Sequence, residues 1–489
     1  MKLIVVSNRL PFAVAKGEDG AWNVEPGSGG LVTALRPVLQ DRGGCWIGWT
    51  GATSEEMQGA PDVFASRNFG YDLVPVALTQ EEKDGFYFGF SNEVVWPLFH
   101  DLTWLCRFEP AYWTSYESVN RKFAEETARR AEPDDFVWVH DYHLMSVARE
   151  LRGMGVASRL AFFLHIPFPH PDIFLKLPWR SQVLRALLEY DVVGFQTSRD
   201  RRNFFECVRL LLPQADVSGK GTIAAVRLAS REVRVGAFPI SIDFADFARR
   251  GTEAAVVEKS RSLRRDEGDR TIILGVDRLD YTKGIPDKLR AFRDLLLRYP
   301  EHAGRVTLFQ IVVPSREDIP RYRDYKVAID RLVGEINGQF TRSGWVPIHY
   351  LYRSLEGRRL AAYYLAADVA LVTPLKDGMN LVCKEYCASR RSEDGALILS
   401  EFAGAAAELA GSALLVNPYD VGGVAATLDR ALKMDAREQR TRMRRLRRVV
   451  REHDIFHWVD AFLEAAVARS LEHFERRGEP VPPEEVLVE

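Results

Sequence analysis

The sequence predicts an α/β fold of two domains, each built around a parallel sheet. Short β-branched runs recur along the chain, and amphipathic helical patterns lie between most of them. The predicted strands are residues 3–6, 136–139, 160–164, 192–195, 272–276, 306–313, 369–372 and 396–399, and the clearest helices are residues 178–188, 286–298 and 322–336. Strands that alternate with helices form parallel sheets joined by right-handed crossovers. At 489 residues the chain exceeds one ordinary core, so at least two domains are expected.

The boundary between the domains is expected near residue 240. The segment Val235-Gly236-Ala237-Phe238-Pro239-Ile240 resembles an extended linker that precedes a polar, charged helical region. Residues 1–239 are therefore assigned to an N-terminal domain and residues 240–454 to a C-terminal domain. The proline-rich residues 473–489 are predicted to be a disordered tail.

The composition is typical of a globular protein that acts on small molecules. A net charge of -2 offers no general attraction to nucleic acid or to an anionic membrane. The dense arginines of residues 437–451 alternate with apolar residues at helical spacing, which favours a solvated helix face. No apolar run reaches membrane-spanning length, and the chain turns polar at Ser7 after a short apolar start, unlike a signal peptide.

The cysteines indicate a reducing compartment. Cys45, Cys106, Cys207, Cys383 and Cys387 form no C-x-x-C pair, and their odd number argues against a disulfide framework. A cytoplasmic location is therefore expected.

Residues 376–386 are the most informative segment because they form a polar loop that opens a helix directly after a buried strand. Ligands of α/β sheets bind at the carboxyl ends of the strands. The first helical turn, from Gly378 to about Val382, has unpaired N–H groups that suit a diphosphate. Asp377 and Glu385 flank the turn and can accept hydrogen bonds from sugar hydroxyls. The alternative is a strand-to-helix corner with a solvated aspartate and a helical glutamate.

A second loop, residues 275–284, follows the strongest strand signal of the second half. It places Arg278 and Lys283 at the same sheet edge as Asp377. A planar guanidinium and a compact ammonium can neutralise a leaving diphosphate without a metal. A solvated basic loop is the alternative for this segment taken alone.

The first half contains further candidate ligand-binding residues. Glycines 27, 29 and 30 precede a helical pattern from Leu31, so exposed amides there could meet a phosphate. Arg9 and Arg316 each lie just beyond a predicted strand. Together they could clamp a phosphorylated ligand, although arginines at strand ends more often form surface ion pairs.

Histidines and carboxylates also cluster after buried strands, at His140-Asp141-Tyr142-His143 and at His165. The spacing matches no zinc pattern, so no metal is predicted. Hydrogen bonding to sugar hydroxyls suits Asp141 and His165 better. Tyr87 and Trp96 could stack on a pyranose ring, with a place in the core as the equal alternative.

Taken together, these segments resemble the trehalose-6-phosphate synthase family, which comprises retaining glycosyltransferases of family 20. The motifs that carry the resemblance extend from Met1 to about Trp458 and are specific through their joint order. They are Ser7-Asn8-Arg9-Leu10-Pro11, Gly29-Gly30, Trp46-Ile47-Gly48-Trp49, Phe90-Ser91-Asn92, Trp96-Pro97, His140-Asp141-Tyr142-His143, Phe163-Leu164-His165-Ile166-Pro167-Phe168-Pro169, Gly194-Phe195-Gln196-Thr197, Arg278-Leu279-Asp280-Tyr281-Thr282-Lys283-Gly284, Asp377-Gly378-Met379-Asn380-Leu381-Val382 and Asn417-Pro418-Tyr419-Asp420.

The resemblance implies a GT-B fold, with two Rossmann-like domains whose parallel sheets face each other across a cleft. The N-terminal domain would bind the acceptor and the C-terminal domain the nucleotide sugar. A helix at about residues 455–472 would pack back on the N-terminal domain.

The resemblance also implies the donor-binding residues. Arg278 and Lys283 would hold the diphosphate, Glu385 the ribose, and amides from Leu381 onward the phosphates, while Asp377 and His165 would contact the transferred glucose. The full donor set is Gly29, Gly30, Arg278, Lys283, Leu355, Asp377, Gly378, Met379, Asn380, Leu381, Val382, Cys383, Lys384 and Glu385. Leu355 stands where a related bacterial sequence has phenylalanine, but the contact to the base there would be made through the backbone.

On the acceptor side, the resemblance implies that Arg9, Tyr87 and Arg316 bind a phosphate and that Asp141 binds the acceptor sugar. Trp96 and Ile166 would shape the site where the α,α bond forms. The implied catalytic residues are Arg278, Lys283, Asp141 and His165.

The implied reaction is transfer of glucose from a nucleotide diphosphate glucose, with UDP-glucose as the expected donor, to glucose 6-phosphate. The product is α,α-trehalose 6-phosphate, and the partners are these small molecules, with no metal or other cofactor. Glucosylglycerol-phosphate synthesis from glycerol 3-phosphate and a catalytically silent sugar-phosphate sensor are the alternatives. The sequence leaves open the donor base and whether the chain forms a homo-oligomer.

Overall fold

The computed structural model of the protein describes residues 2–16, 22–26, 30–58, 69–219, 221–229, 231–316 and 319–467. Contacts divide the chain into two compact units. The first contains the residues up to Pro239 and the segment from Trp458 onward, and the second contains Ile240–His457. The predicted tail at residues 473–489 lies outside the described residues.

The first unit is an α/β unit with one large sheet and a separate hairpin. Its strands are β1 (Leu3–Arg9), β2 (Phe12–Lys16), β3 (Trp22–Pro26), β4 (Cys45–Trp49), β5 (Asp72–Pro75), β6 (Phe136–His140), β7 (Arg159–Phe163), β8 (Val192–Phe195), β9 (Asp216–Ser218), β10 (Ile223–Leu228) and β11 (Arg231–Ala237). Its helices are α1 (Gly30–Arg42), α2 (Gln80–Glu82), α3 (Trp96–Phe99), α4 (Pro110–Ala128), α5 (Val147–Gly153), α6 (Pro171–Phe174), α7 (Arg180–Leu187) and α8 (Ser198–Leu211), with a π-helix at Lys83–Val95 and 3-10 turns at Thr103–Leu105 and Tyr142–Leu144.

The large sheet has the order β5-β4-β1-β6-β7-β8-β11-β10-β9. Its strands run parallel from β5 to β11, whereas β10 is antiparallel to both of its neighbours. The predicted linker at residues 235–240 is in part wrong, because Arg231–Ala237 is a strand that pairs with β8. Its β-branched and small residues suit the buried sheet as well as they suit an extended linker.

The second unit contains one sheet in which every strand is parallel to its neighbours, in the order β14-β13-β12-β15-β16-β17. The strands are β12 (Thr271–Arg278), β13 (Val306–Val313), β14 (Ile348–Tyr352), β15 (Val369–Val372), β16 (Ala396–Ser400) and β17 (Leu414–Val416). The helices are α9 (Phe244–Arg250), α10 (Ala254–Glu267), α11 (Ile285–Arg298), α12 (Pro320–Phe340), α13 (Gly357–Ala366), α14 (Leu381–Ser389), α15 (Ala406–Leu409), α16 (Val421–Leu432) and α17 (Ala436–Glu452), with 3-10 turns at Tyr281–Lys283 and Pro300–His302.

The last described helix, α18 (Ile455–Val467), packs through its aromatic residues. The indole of Trp458 stacks 5.1 Å from that of Trp138 on β6, and the ring of Phe462 stacks 4.4 Å from the same indole. Aromatic contacts of this kind stabilise a helix against a sheet beyond the burial of their area.

The prediction of an α/β fold with two mainly parallel sheets is confirmed. In the described part of the chain, no helix combines the length and the apolar character needed to cross a membrane.

Candidate functional site

Two loops that the sequence singled out lie side by side in the second unit. Strand β12 pairs with β15, so the loops that follow them begin at the same sheet edge. The amide of Leu375 donates a 2.8 Å hydrogen bond to the carbonyl of Thr282, which joins the chain after β15 to the 3-10 turn after β12. The structure therefore brings the segment around Lys283 next to the segment around Asp377.

The closest contact between these loops is an ion pair. Lys283 Nζ lies 2.5 Å from Asp377 Oδ2, and the two side chains are only 10% and 15% exposed. Asn380 Nδ2 donates to the same carboxylate oxygen over 3.2 Å. Because an ammonium has three N–H donors, Lys283 can hold Asp377 and still donate to a ligand.

Helix α14 begins at Leu381, later than the Gly378 start expected from sequence. Asn380, at a φ of +86°, is its N-cap, and its side-chain oxygen accepts from the amide of Cys383 over 3.2 Å. Amides in the first helical turn have no partner within the helix. The side chain of Asn380 accepts from the amide of Cys383. The amides of Leu381 and Val382 are therefore the ones suited to an anion.

Backbone hydrogen bonds from the chain that follows β16 hold the loop before α14 in place. Gly404 donates to the carbonyl of Asp377 over 3.0 Å, and Ala405 donates to that of Met379 over 2.9 Å. A Cβ on Gly404 would lie 1.8 Å from the carbonyl oxygen of Gly378, so no other residue fits there. The backbone of this anion-binding loop is therefore preorganised.

Two charged residues of α14 point to different partners. Glu385 accepts a 2.6 Å hydrogen bond from the hydroxyl of Tyr364, and burial raises the pKa of Glu385 despite this bond. Lys384 is buried and its ammonium contacts Glu408 Oε2 at 2.6 Å and the carbonyl of Ile240 at 3.0 Å. The side chain of Lys384 thus supports the fold, while Glu385 keeps an oxygen for a ligand.

The two arginines predicted for this unit differ in exposure. Arg278, the last residue of β12, is exposed. Arg316 is only 7% exposed, adopts a φ of +54°, and lies 3.5 Å from Asp280 and 2.6 Å from the hydroxyl of Tyr322. Burial alone would raise the pKa of Asp280, but Arg316, followed by Arg278, lowers it below its ordinary value.

Beneath this edge lies a buried ion pair that sequence reasoning missed. Lys288 on α11 contacts Asp277 on β12 at 2.5 Å, and both side chains are at most 1% exposed. Gln310 donates to the same carboxylate oxygen over 2.9 Å. A helical lysine pattern carries no signal for such a pair, because periodicity alone predicts a solvated face.

In the first unit, Arg9 lies in an aromatic stack. Its guanidinium lies 4.0 Å from the ring centre of Trp49 and 5.4 Å from that of Tyr87. A Cβ on Gly51, which has a φ of +102°, would lie 2.0 Å from the guanidinium, so this glycine leaves room for it. The structure therefore brings Arg9 next to Tyr87 and Trp49, and a role of Arg9 and Tyr87 at a phosphate stays a prediction.

The aromatic segment that contains Tyr87 and Trp96 is divided between a π-helix and the short helix α3. Tyr87 lies on the π-helix and stacks on the imidazole of His143 with 5.9 Å between ring centres. Trp96 begins α3, is buried, and lies 5.7 Å from Tyr142. Tyr87 and Trp96 thus both contact the turn that follows β6.

Asp141 and His165 follow adjacent parallel strands, β6 and β7. Asp141 has a φ of +73°, and its side-chain oxygen accepts from the amide of His165 over 3.2 Å. His140 Nδ1 lies 3.2 Å from His165 Nε2. Burial lowers the pKa of His165 to about 3, and it lowers that of His140 well below its ordinary value, so both rings are neutral at pH 7.

The other predicted site residues are placed as follows. Gly29 lies outside the described residues, and Gly30 begins α1. Leu355 lies between β14 and α13 and is half-buried, whereas Ile166 is buried just after β7.

Two α/β units, with a helix start that suits an anion beside lysine and arginine side chains, resemble the GT-B class of glycosyltransferases. A family model described as glycosyltransferase family 20 matches residues 1–468. The chain belongs to this family.

Relatives support the assignment over nearly the whole chain. A trehalose-6-phosphate synthase of Mycobacterium sp. (strain JLS) is 44% identical over 467 residues, which cover 94% of this chain and 95% of the relative. One from Mycobacterium leprae is 43% identical over 469 residues, with 94% of both chains covered.

Solved structures agree with these relatives. An α,α-trehalose-phosphate synthase (UDP-forming) from Burkholderia xenovorans, in complex with glucose-6-phosphate, has a TM-score of 0.87 at 35% identity and covers 96% of this chain and 100% of its own. An enzyme from E. coli bound with UDP-2-fluoro glucose has a TM-score of 0.86 at 37% identity and covers 96% and 99%.

Proposed function

We propose that this glycosyltransferase transfers glucose from UDP-glucose to glucose 6-phosphate and forms α,α-trehalose 6-phosphate with retention at the anomeric carbon. The observation that carries the proposal is the joined pair of loops around Lys283 and Asp377, which sits in a fold shared with relatives solved with glucose-6-phosphate and with a UDP-glucose analogue.

The second unit, residues 240–454, is proposed to bind the donor. Arg278 and Lys283 hold the diphosphate, and the amides of Leu381 and Val382 complete its shell from the helix start. Glu385 accepts from the ribose, because Tyr364 occupies one carboxylate oxygen and leaves the other. Gly29 and Gly30 are also proposed to contact the donor, as the resemblance implies.

The donor sugar is proposed to lie against Asp377. Lys283 and Asn380 hold the carboxylate of Asp377 in place at Oδ2, and we propose that this carboxylate accepts from a glucose hydroxyl. Gly378, Met379, Cys383 and Lys384 shape this loop and helix without a side-chain contact to the ligand, and Leu355 meets the base through its backbone.

The first unit, residues 1–239 with the helix from residue 455 onward, is proposed to bind the acceptor. Arg9, Tyr87 and Arg316 are proposed to bind its phosphate, as the resemblance implies. Asp141 accepts from the acceptor sugar. Trp96 and Ile166 shape the site where the α,α bond forms.

We propose front-face transfer, in which the bond from C1 to the diphosphate oxygen breaks while the acceptor oxygen bonds to C1 on the same face. The leaving diphosphate takes the acceptor proton. Charge grows on its oxygens during this step, and Arg278 and Lys283 stabilise that charge more in the transition state than in the bound substrate. His165 donates to a hydroxyl of the transferred glucose.

No metal is assigned to this reaction. Among the described residues, one group of potential ligands comes together, namely Glu301, His302 and Asp429. The ammonium of Lys433 lies 2.7 Å from Asp429 and 3.2 Å from Glu301, so this group already has a cation. We further propose a cytoplasmic enzyme that binds neither nucleic acid nor membranes; a homo-oligomer is compatible with the proposal.

A substrate panel tests the function. UDP-, ADP- and GDP-glucose would each be incubated with glucose 6-phosphate or with glycerol 3-phosphate, with chelator present in a parallel set, and release of nucleotide diphosphate would be followed. We expect the fastest release with UDP-glucose and glucose 6-phosphate, and no effect of the chelator. Faster release with glycerol 3-phosphate would reject the acceptor, and binding of both ligands by calorimetry without turnover would reject the activity.

A further inference from the structure

His140 and His165 form a buried imidazole pair at the carboxyl ends of two adjacent strands. His140 is the last residue of β6, and its backbone is in register with Phe163 of β7. His140 Nδ1 lies 3.2 Å from His165 Nε2, which is hydrogen-bond distance. The pair therefore connects a residue inside the unit to one that the proposed function places against the donor sugar.

The contact requires one proton between the two nitrogens. His140 is fully buried and its ring lies 4.8 Å from Trp138 and 6.5 Å from Trp458. These apolar surroundings disfavour an imidazolium, so each ring has one N–H and one bare nitrogen. In the shared hydrogen bond, one ring donates and the other accepts.

The other nitrogen of His140 indicates the direction of this bond. His140 Nε2 is buried and has no hydrogen-bond partner among the described residues. Among buried backbone groups, an N–H without an acceptor is rarer than a carbonyl without a donor, and we apply the same order to the two nitrogens of His140. His140 Nε2 is therefore the bare nitrogen, and the proton of His140 is on Nδ1, which points at His165.

This direction determines the protonation of His165. When His165 Nε2 accepts from His140, its own proton must be on Nδ1. Asp141 holds the backbone amide of His165 over 3.2 Å, and Phe163 and Trp458 lie 4.7 Å and 6.3 Å from the His165 ring. The ring is thus held in one place as well as in one tautomer.

We propose that His140 is a positioning residue, which fixes His165 as the Nδ1–H tautomer so that His165 can only donate, not accept, a hydrogen bond to a hydroxyl of the transferred sugar. This role rests on the proposed function for its consequence, because His165 is assigned to the donor sugar there. The tautomer itself does not depend on the activity.

Two substitutions separate the hydrogen bond from the volume of His140. In His140→Asn, the side-chain amide nitrogen branches from Cγ as Nδ1 does, so a donor remains. In His140→Leu, a branched side chain of similar size has no donor. Nitrogen-15 NMR of protein labelled in its 10 histidines distinguishes protonated from bare ring nitrogens, and the variants assign the two rings.

We expect the unliganded wild type and His140→Asn to show His165 with a protonated Nδ1 and a bare Nε2, and His140→Leu to show a tautomer mixture. A lost hydrogen bond of ordinary strength corresponds to about a tenfold fall in kcat/KM for UDP-glucose in His140→Leu. His140→Asn should keep most of the wild-type kcat/KM for UDP-glucose. Neither substitution should alter the KM for glucose 6-phosphate.

A protonated Nε2 on His165 in the wild type would overturn the proposal. So would a His140→Asn variant as impaired as His140→Leu. If His140→Leu does not fold, the spectra of the wild type and His140→Asn still show which nitrogen of His165 is protonated. If the wild type makes no product from UDP-glucose and glucose 6-phosphate, the proposed function fails, while the spectrum still tests the tautomer.

Discussion

The two units handle charge in different ways at their candidate sites. In the second unit, buried lysines at the site edge are paired with carboxylates, as are Lys283 with Asp377 and Lys288 with Asp277. In the first unit, Arg9 lies beside two aromatic rings, those of Trp49 and Tyr87. His140 and His165 of the same unit are neutral because burial lowers the pKa of each.

This difference fits the proposed ligands. A diphosphate leaves with growing negative charge, so the donor region needs cations whose positions are fixed before the reaction. Paired carboxylates fix them and also lower the cost of burying them. An acceptor phosphate keeps its charge throughout the reaction. Oriented guanidinium groups are sufficient there, and contact with aromatic rings orients that of Arg9 without neutralising it.

The largest expected effect comes from breaking a buried pair in the second unit. Lys288→Met should lower the free energy of unfolding by about 3–5 kcal/mol, because Asp277 would remain buried without its cation. Lys326→Met is the matched control: its pair with Asp330 is 32% and 40% exposed, so the loss should stay below about 1 kcal/mol. Urea unfolding of both variants measures this, and equal losses would remove the distinction between buried and exposed pairs.

The next largest effect concerns the negative charge that develops on the leaving diphosphate. Arg278→Ala should lower kcat by about 10²–10³-fold with little change in the KM for glucose 6-phosphate, because the guanidinium acts mainly in the transition state. Since Arg278 is exposed, the fold should be unaffected. Steady-state kinetics against Arg290→Ala, an exposed arginine of α11 paired with Asp287, provides the comparison. Unchanged turnover in Arg278→Ala would reject its role.

In the first unit, the expected effect is on binding. Arg9→Ala should raise the KM for glucose 6-phosphate by about 10- to 100-fold, which is the range of a hydrogen bond to a charged group. The KM for glucose 6-phosphate of Arg9→Lys should lie between those of the wild type and Arg9→Ala, because an ammonium keeps the charge but lacks the planar face that stacks on Trp49. The KM for UDP-glucose should not change. If Arg9→Ala lowered kcat without changing the KM for glucose 6-phosphate, Arg9 would act on the transition state, as Arg278 is expected to do, and the contrast between the two units would fail.

The smallest effect is a shift in pH dependence. The carboxylate form of Glu385 is needed to accept from ribose, so the KM for UDP-glucose should rise as the pH falls through the pKa of Glu385. The hydrogen bond from Tyr364 lowers that pKa against the effect of burial. In Tyr364→Phe the rise should therefore begin at a higher pH, with a KM on the acid side about threefold to tenfold above that of the wild type at the same pH.

Glu385→Gln is the control for this prediction, because it has no carboxylate to titrate and should lose the acid limb altogether. If the pH profile of Tyr364→Phe coincided with that of the wild type, the hydrogen bond from Tyr364 would not influence the ionisation of Glu385 that the profile reports.

The sequence predicted the fold class, and it predicted which two loops of the second unit lie together, for a physical reason. Strand periodicity fixes where each strand ends, and loops at the carboxyl edge of a parallel sheet must lie together, so Lys283 and Asp377 could be brought together without coordinates. The start of α14 was misplaced by three residues because the N-cap is Asn380 at positive φ, and an asparagine in a polar loop gives several equally good starts.

The contacts between distant segments could not be predicted. Trp49 under Arg9, Tyr364 on Glu385, and Lys288 on Asp277 join residues whose side chains have ordinary roles in their own elements. Aromatic and lysine positions in strands and helices are normally core or solvated surface. Only the packing of one element on another shows which of them supports a site.

The configuration of the product tests the central claim most directly. Incubation of UDP-glucose labelled with carbon-13 at C1 with glucose 6-phosphate, followed by NMR of the product, reports the configuration of the new bond at that carbon. The account predicts one labelled disaccharide phosphate with the α configuration at the labelled carbon. A β configuration at the labelled carbon, or label found only in free glucose, would contradict it.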